Sequence, residues 1–490
     1  MATKEFIVAI ELGSSKVTGI AGQKNLDGSI NVLAVVKEES SSFIRKGVAY
    51  NIDKTALCVS NIVKKLSTQL KTEITKVYVG VGGQSIRSVK NVITKELPAN
   101  TKVTEDMVVD LMEANRAMEY TDQEKQSYVI QEFKVDSQYQ IDPVGIQCSH
   151  LEGNFLNILQ RYTFYKNLNR CLENAGVNVA DMFISPIALA DSVLTETEKR
   201  SGCALVDIGA DTTTVCVYNK NILRHLAVIP LGSRNITKDI ASLQIEESEA
   251  EKMKLKYASA YTDNADIDNN LKLPIDQERS VDSRKFIEIV EGRLEEIIEN
   301  VWNQIPSDYY EKLLLGGIIL TGGGSNIKNI EKAFYNYTHL DKIRVAKFVN
   351  YTVRSTNPDI NAKNGMMNTI LGLLIKGDQN CAGVEIDPTN LFDSNNTASL
   401  NGPISLGQRT TDNSKKTGVV LTEAEKRKAE EEAQRRREEE ERRREEEEAE
   451  ARRQAEEEKK RLEEERRRNS PLNKGITWLK KVVKDMTADE

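Results

Sequence analysis

The stretch ALVDIGADTTTVCVY, residues 204–218, runs from apolar β-branched residues through Asp207 and a glycine turn to three threonines and a second apolar run. About 195 residues earlier, IVAIELGSSKVTGIAG (7–22) has the same construction, with Glu11 as the acidic residue and Gly-Ser-Ser-Lys as the turn. A tight hairpin of this kind aims backbone N–H groups and hydroxyls into one small space. That is a cradle for phosphate oxygens, with a carboxylate beside it to hold water around Mg²⁺. One such hairpin is equally well explained as a plain structural turn. Two copies predict a duplicated lobe with a nucleotide clamped between the halves. A third stretch, GGIILTGGGSNIKNI (316–330), is a strand feeding a glycine cluster and then a helix, where backbone can approach a flat base or its phosphates closely.

Outward from these motifs, residues 1 to about 377 read as an α/β body. The runs EFIVAI, KVYVGVG, GCALVDIG, TTTVCVY and GGIILTGGG are continuous, β-branched and bounded by glycine, as strands buried on both faces are. Between them lie helical patterns such as VDSRKFIEIVEGRLEEIIENVWNQI, whose apolar residues recur every three and four. At 490 residues the chain calls for two or more lobes. It has no stretch of about 18 apolar residues to span a bilayer, and its opening, MATKEFIVAIELGSS, reads as a strand entering a turn and not as a signal peptide. Six scattered cysteines without a C-x-x-C pair describe a reduced cytosolic protein with neither a disulfide framework nor a zinc site. A net charge of −7 and sparse aromatics argue against nucleic-acid binding. The three histidines lie far apart and read as ordinary polar or core positions, and Ser185-Pro186 as a helix start, since G-x-S-x-G is absent. No residue is singled out as catalytic.

The three motifs, in this order, resemble the actin/Hsp70/sugar-kinase superfamily: first phosphate loop, second phosphate loop, adenosine motif. Within it the chain is similar to the FtsA family of bacterial cell-division proteins. KVYVGVGGQSIRSV, followed by VTEDMVVDLMEANRAM and VIQEFKVDSQYQIDPVGIQCSHLEGN, looks like the subdomain inserted in that family. AGVNVADMFISPIALADSVLTETEKRSGCALVDIGADTTT, RHLAVIPLGSRNITKDIA and EAEKMKLKYASA look like further family segments in family order. The resemblance covers about residues 5–376, and the C-terminal piece by position.

The resemblance implies ATP with Mg²⁺ as cofactors. It puts Gly13, Ser14, Ser15 and Lys16 at the first phosphate loop and Asp207, Gly209, Thr212 and Thr213 at the second, with Asp207 and Glu11 near the metal. Gly322, Gly323 and Gly324 would border the adenosine, and Glu251 and Lys252 on the EAEKMK helix would reach the ribose or base; the residues alone read that helix as an ordinary solvated charge pattern. Two departures from the family pattern stand out. Glu11 replaces the usual Asp, and Ala210-Asp211 replaces Gly-Gly, setting a carboxylate beside polyphosphate unless Asp211 points away or joins the metal shell. SPIALADSV offers only Asp191 to orient an attacking water, so hydrolysis is expected to be slow or vestigial.

The expected organisation is a first lobe in 1–83 and 163–200, interrupted by the inserted α+β subdomain at 84–162. The second lobe follows at 201–232 and 313–377, with its small subdomain at 233–312. From 378 to 422 the chain turns to Asn, Ser, Thr, Gly and Pro, a flexible-linker composition. In 423–468 all but nine residues are charged, and Glu precedes Arg by four in pairs such as Glu431/Arg435 and Glu448/Arg452. Leu462 is the one large apolar residue in that run, too little for a coiled-coil seam, so it reads as an isolated charged helix or a disordered spacer. As a helix it would reach roughly 70 Å at about 1.5 Å per residue. Residues 469–490 form an amphipathic pattern. Leu472, Ile476, Trp478, Leu479, Val482, Val483 and Met486 share one face, and Lys480, Lys481, Lys474 and Lys484 the other. That describes a helix lying in a membrane interface on anionic lipid; the alternative is a helix that docks on the protein's own body.

The family resemblance implies an actin-like protein that polymerises with itself on the cytoplasmic face of the inner membrane at the division site. There it would anchor the C-terminal tail of the tubulin-like FtsZ through 233–312 and recruit later division proteins through the inserted subdomain. Three other readings compete. An Hsp70-type chaperone needs a β-rich peptide domain after 377, which the charge run excludes; a sugar kinase needs a catalytic Asp and a sugar pocket; a pilus-assembly actin homologue is the nearest rival.

Overall fold

The computed structural model describes residues 5–385, apart from 269, 277–278 and 310–312. The chain opens with an antiparallel meander, β1 (Ile7–Leu12), β2 (Lys16–Lys24) and β3 (Ile30–Glu39). A short hairpin follows, β4 (Ile44–Arg45) and β5 (Val48–Ala49), then α1 (Ile52–Leu70), β6 (Thr72–Ile74) and β7 (Val77–Val81), which lies parallel to β1. The inserted segment comes next: β8 (Arg87–Lys102), α2 (Glu105–Ala117), β9 (Gln123–Val135), β10 (Gln138–Gln140) and β11 (Gln147–Arg161). Helix α3 (Tyr162–Asn174), strand β12 (Val179–Ile184), helices α4 (Ser185–Val193) and α5 (Glu196–Ser201) complete the first lobe's forward pass.

The second lobe repeats the plan. Strands β13 (Cys203–Ile208), β14 (Thr213–Asn219) and β15 (Ile222–Ile229) form a second meander. Helices α6 (Ser233–Ala241) and α7 (Glu247–Tyr257), strands β16 (Lys272–Pro274) and β17 (Ser280–Asp282), and the long helix α8 (Ser283–Gln304) follow. Then come β18 (Gly317–Thr321), helix α9 (Ile330–Thr338) and β19 (Ile343–Val345). The chain returns to the first lobe through β20 (Val353–Arg354), α10 (Pro358–Asn361), α11 (Asn368–Lys376) and β21 (Ala382–Glu385). The first sheet has the order β12-β7-β1-β2-β3-β20, and the second contains β15-β14-β13-β18-β19. In both, a meander's first strand pairs in parallel with the next, so the duplication read from the two hairpins is a duplication of whole sheets.

The reason β13 is a continuous apolar run as far as Asp207 is visible in its alternation. Ala204 and Val206 face a core with Val215, Val217, Phe286 and Ile297, while Cys203 and Leu205 face the core that holds Leu189, Leu373 and Ile10. Both faces are covered, so period-two patterning disappears. Between the lobes run α4 and α11, which cross so closely that a Cβ on Gly372 would stand 2.6 Å from the Ala188 carbonyl oxygen.

The inserted segment has a small core of its own (Val103, Leu111, Phe133, Val135, Cys148, Leu151 and Phe155). Its sheet is nevertheless continuous with the second lobe's, through β8 beside β15. Arg224 on β15 reinforces the junction, donating from both guanidinium NH₂ groups to the Glu132 carboxylate at 2.8 Å.

Residues 378–385, expected to open the linker, are instead held to the first lobe. Tyr78 Oη donates to Asp378 at 2.7 Å and accepts from the amides of Asp378 and Gln379, Cys381 is buried, and β21 pairs antiparallel with β6. Polar composition concealed this because the segment is held mainly by hydrogen bonds. The rest of the expected linker, the charge run and the terminal amphipathic pattern lie outside the described residues. Among the described residues no helix is long and apolar enough to cross a membrane.

Candidate functional site

The two hairpins close in the same way. In the first, the Gly13 amide donates to the Lys16 carbonyl at 3.1 Å; in the second, the Gly209 amide donates to the Thr212 carbonyl at 2.8 Å. The central amides of each turn, Ser14 and Ser15 in one and Ala210 and Asp211 in the other, have no protein acceptor among the described residues. The carbonyls behind them are taken. Ser40 donates its hydroxyl to the Gly13 oxygen and its amide to the Ser15 oxygen, while the first amides of α6, Ser233 and Arg234, donate to Gly209 and Ala210. Each turn is thus held from behind with donors left over, as an anion cradle requires.

Ser14 is buried and its Oγ accepts from the Gly47 amide at 2.7 Å; Lys16 is exposed, 3.8 Å from Glu39. Thr212 is partly buried at the turn, whereas Thr213 is fully buried and its hydroxyl donates to the Leu231 carbonyl at 2.9 Å. Thr213 therefore fixes the strand behind the turn. Glu251 accepts from the Thr237 hydroxyl at 2.5 Å and pairs with Lys254 at 2.8 Å, and exposed Lys252 pairs with Glu249 at 2.7 Å, so both residues on α7 are engaged within the small subdomain.

Glu11 and Asp207 come from the ends of the first strand of each meander, and the glycine cluster closes on Asp207 and its neighbour Ile208. Gly322, at φ +82°, has no room for a side chain: a Cβ there would lie 2.3 Å from Asp207 Oδ1. Gly324 packs as tightly on Ile208, while Gly323 meets only Met366 at 3.6 Å. Burial pushes the Glu11 carboxyl up, the charge of Asp207 pushes it further, and Lys37 offsets part of this, leaving it at about 8. Burial alone carries Asp207 to about 6. Two carboxyls that resist ionisation beside each other form a place where a divalent cation is favourable. Among the described residues no group of three or more acidic, His or Cys side chains gathers as a metal cage. Two carboxylates, with water and phosphate supplying the remaining ligands, nonetheless suit Mg²⁺.

Asp191 is occupied elsewhere. It pairs with Lys199 at 2.9 Å and Lys376 at 2.5 Å, binding α4 to α5 and α11. Burial would raise its carboxyl, but the two lysines outweigh it and hold it below the ordinary range.

The Asp211 carboxylate also has partners. It stands 3.6 Å from the Arg234 guanidinium and accepts from the Lys46 amide at 3.1 Å. Neither Lys46 nor Arg234 stood out in the sequence reading. The signal available was Lys-Gly between Arg45 and Val48, a two-residue hairpin turn, and Lys46 and Gly47 have φ of +50° and +71°.

Comparison with known proteins places the fold and the family. The chain overlays the structure of the PilM-PilN type IV pilus biogenesis complex with a TM-score of 0.52 and 14% identity, covering 78% of this chain and 99% of that one, a likeness of fold. It is two-lobed and actin-like. A family model for the cell division protein FtsA matches residues 204–372, and one for the SHS2 domain inserted in FtsA matches 83–159. The cell division protein FtsA of Porphyromonas gingivalis is 32% identical over 326 residues, 65% of this chain and 68% of that protein. That of Bacillus subtilis is 31% identical over 330 residues, 66% of this chain and 74% of that protein. The chain belongs to the FtsA family of cell-division proteins.

Proposed function

We propose that this protein binds Mg·ATP between its lobes and polymerises on the cytoplasmic face of the bacterial inner membrane. There it anchors the FtsZ C-terminal tail through residues 233–312 and recruits later division proteins through the inserted subdomain. The observation that carries the nucleotide reading is the paired hairpin geometry, with Gly322 packed on Asp207 and Glu11 near enough to feel the Asp207 charge. ATP with its metal would supply an anionic triphosphate and a cation to a site that presents free amides and two ionisation-resistant carboxyls. Glu11 and Asp207 would hold the hydrated metal, the Ser14, Ser15, Ala210 and Asp211 amides would hold phosphate oxygens, and Gly322–Gly324 would admit the nucleoside. Because Asp191 is tied up by two lysines, nucleotide acts as a conformational ligand, with phosphate release well below the roughly 1–100 s⁻¹ of kinases.

The terminal apolar face, from Leu472 to Met486, would tether the protein to membrane; each nearby lysine adds about 1 kcal/mol on anionic lipid. Co-sedimentation of the full chain with anionic vesicles, with and without ATP and an FtsZ tail peptide, tests the assembly. Binding to vesicles that Trp478→Glu or Val483→Glu abolishes, with ATP binding intact, supports the tether; unchanged binding after deletion of Gly475–Glu490 refutes it. Calorimetry tests the pocket: Asp207→Ala should weaken Mg·ATP binding, and an unaltered affinity places the nucleotide elsewhere.

A further inference from the structure

The turn of the β4–β5 hairpin touches both phosphate hairpins through consecutive amides. The Lys46 amide donates to Asp211 Oδ2 in the second hairpin, and the Gly47 amide donates to Ser14 Oγ in the first. The turn itself has little freedom. Its two positive φ angles make a type I′ hairpin, the Gln84 amide donates to the Lys46 carbonyl at 2.8 Å, and a Cβ on Gly47 would lie 2.4 Å from Gly83 Cα. Asp211 is braced on its own side by Arg234, whose Nε lies 3.0 Å from Glu247. A rigid first-lobe turn therefore meets a braced second-lobe carboxylate directly over the cleft.

We propose that Asp211 is a positioning residue: with Arg234 it latches the Lys46–Gly47 strap across the two lobes, and the latched strap orients Ser14 for phosphate. This rests on the nucleotide reading above and adds a device to it. A hydroxyl has one donor and two acceptor lone pairs. With the Gly47 amide on one lone pair, the Ser14 proton is left to donate to a phosphate oxygen. The carboxylate that looked like a liability beside polyphosphate is thus spent on closing the cleft.

Two accounts of Asp211 now predict opposite signs. If it is only a repulsive charge, removing it tightens ATP binding. If it is the latch, Asp211→Ala loosens the strap and weakens Mg·ATP by about tenfold, the worth of one charge-assisted hydrogen bond. Asp211→Asn, which keeps an acceptor for the Lys46 amide, should retain most of the wild-type affinity.

The experiment uses the full chain with spin labels on cysteines introduced at exposed Lys54 in the first lobe and exposed Lys238 in the second. Distance distributions are measured without nucleotide and with Mg·ATP, alongside calorimetry. Latching predicts a broader, longer distribution for nucleotide-free Asp211→Ala, recovery in Asp211→Asn, and weaker ATP binding by the alanine variant. An unchanged distribution with equal or tighter ATP binding in Asp211→Ala overturns it. Should the alanine variant fail to fold, Arg234→Gln, which removes the brace, must broaden the nucleotide-free distribution; a wild-type distribution there overturns the latch. Failure of the nucleotide reading itself is separable, since wild type would then bind no ATP while the nucleotide-free distances still report on the latch.

Discussion

Replacing Glu11 with Gln keeps the shape of a half-buried side chain while removing its charge, and the consequence depends on pH. The folded protein holds the Glu11 proton with a pKa of about 8, against an ordinary 4.5, because of burial first and the Asp207 charge second. The proton is bound more tightly folded than unfolded. The penalty is therefore absent below about pH 4.5, grows as pH rises and levels off above about pH 8. At about 1.36 kcal/mol per pKa unit, wild type loses roughly 3 kcal/mol by pH 7 and roughly 5 by pH 9, and a glutamine loses none of this. Urea unfolding of the nucleotide-free proteins at pH 5, 7 and 9 should show a stability gap in favour of Glu11→Gln that widens with pH. Mg·ATP should narrow the gap, because the cation offsets the Glu11 charge that only wild type carries. The slope with pH is the readout, since any fixed cost of burying an amide is the same at each pH. A gap that stays constant from pH 5 to 9 would refute the claim that Glu11 is held neutral.

Two further outcomes follow from close contacts. Gly322→Ala forces a Cβ onto the Asp207 carboxylate at a backbone conformation of φ +82° and ψ 173°. It should cost about 1–3 kcal/mol in strain alone, and a melting temperature equal to wild type would show that the glycine cluster does not pack on Asp207. Tyr78→Phe removes the hydroxyl that contacts Asp378 and Gln379. It should speed amide exchange in residues 378–385 at least tenfold, the worth of about 1.4 kcal/mol, with the exchange of β1 and β2 little changed; equal exchange would assign the ordering to strand pairing alone.

The parts legible in the sequence were those set by local chemistry. Gly-Ser-Ser-Lys and Gly-Ala-Asp-Thr each close a turn between strands, and strands covered on both faces cannot hide their continuous apolar runs. The duplication, the glycine cluster and the helices at 247–257 and 283–304 could be read for the same reason. What stayed hidden was pairing over distance. Nothing near Asp211 announces that its acceptor is filled by an amide 165 positions away, or that Asp191 would be claimed by Lys376. Composition also misled at 378–385, where Asp, Gln and Asn suggested solvent but serve as hydrogen-bond partners for Tyr78 and Phe6.

The attachment at 378–385 has a mechanical meaning. Any tension arriving from beyond Glu385 meets the β21–β6 pair first, then the Phe6 backbone at the entrance to β1, which both donates to Asn380 and accepts from Cys381, and then the hydroxyl of Tyr78 on β7. Strand β1 carries Glu11 at its far end. A pull on the tail is therefore delivered along the strand that forms one wall of the cleft. The first lobe bears the strain, and the second feels it only through whatever bridges the gap.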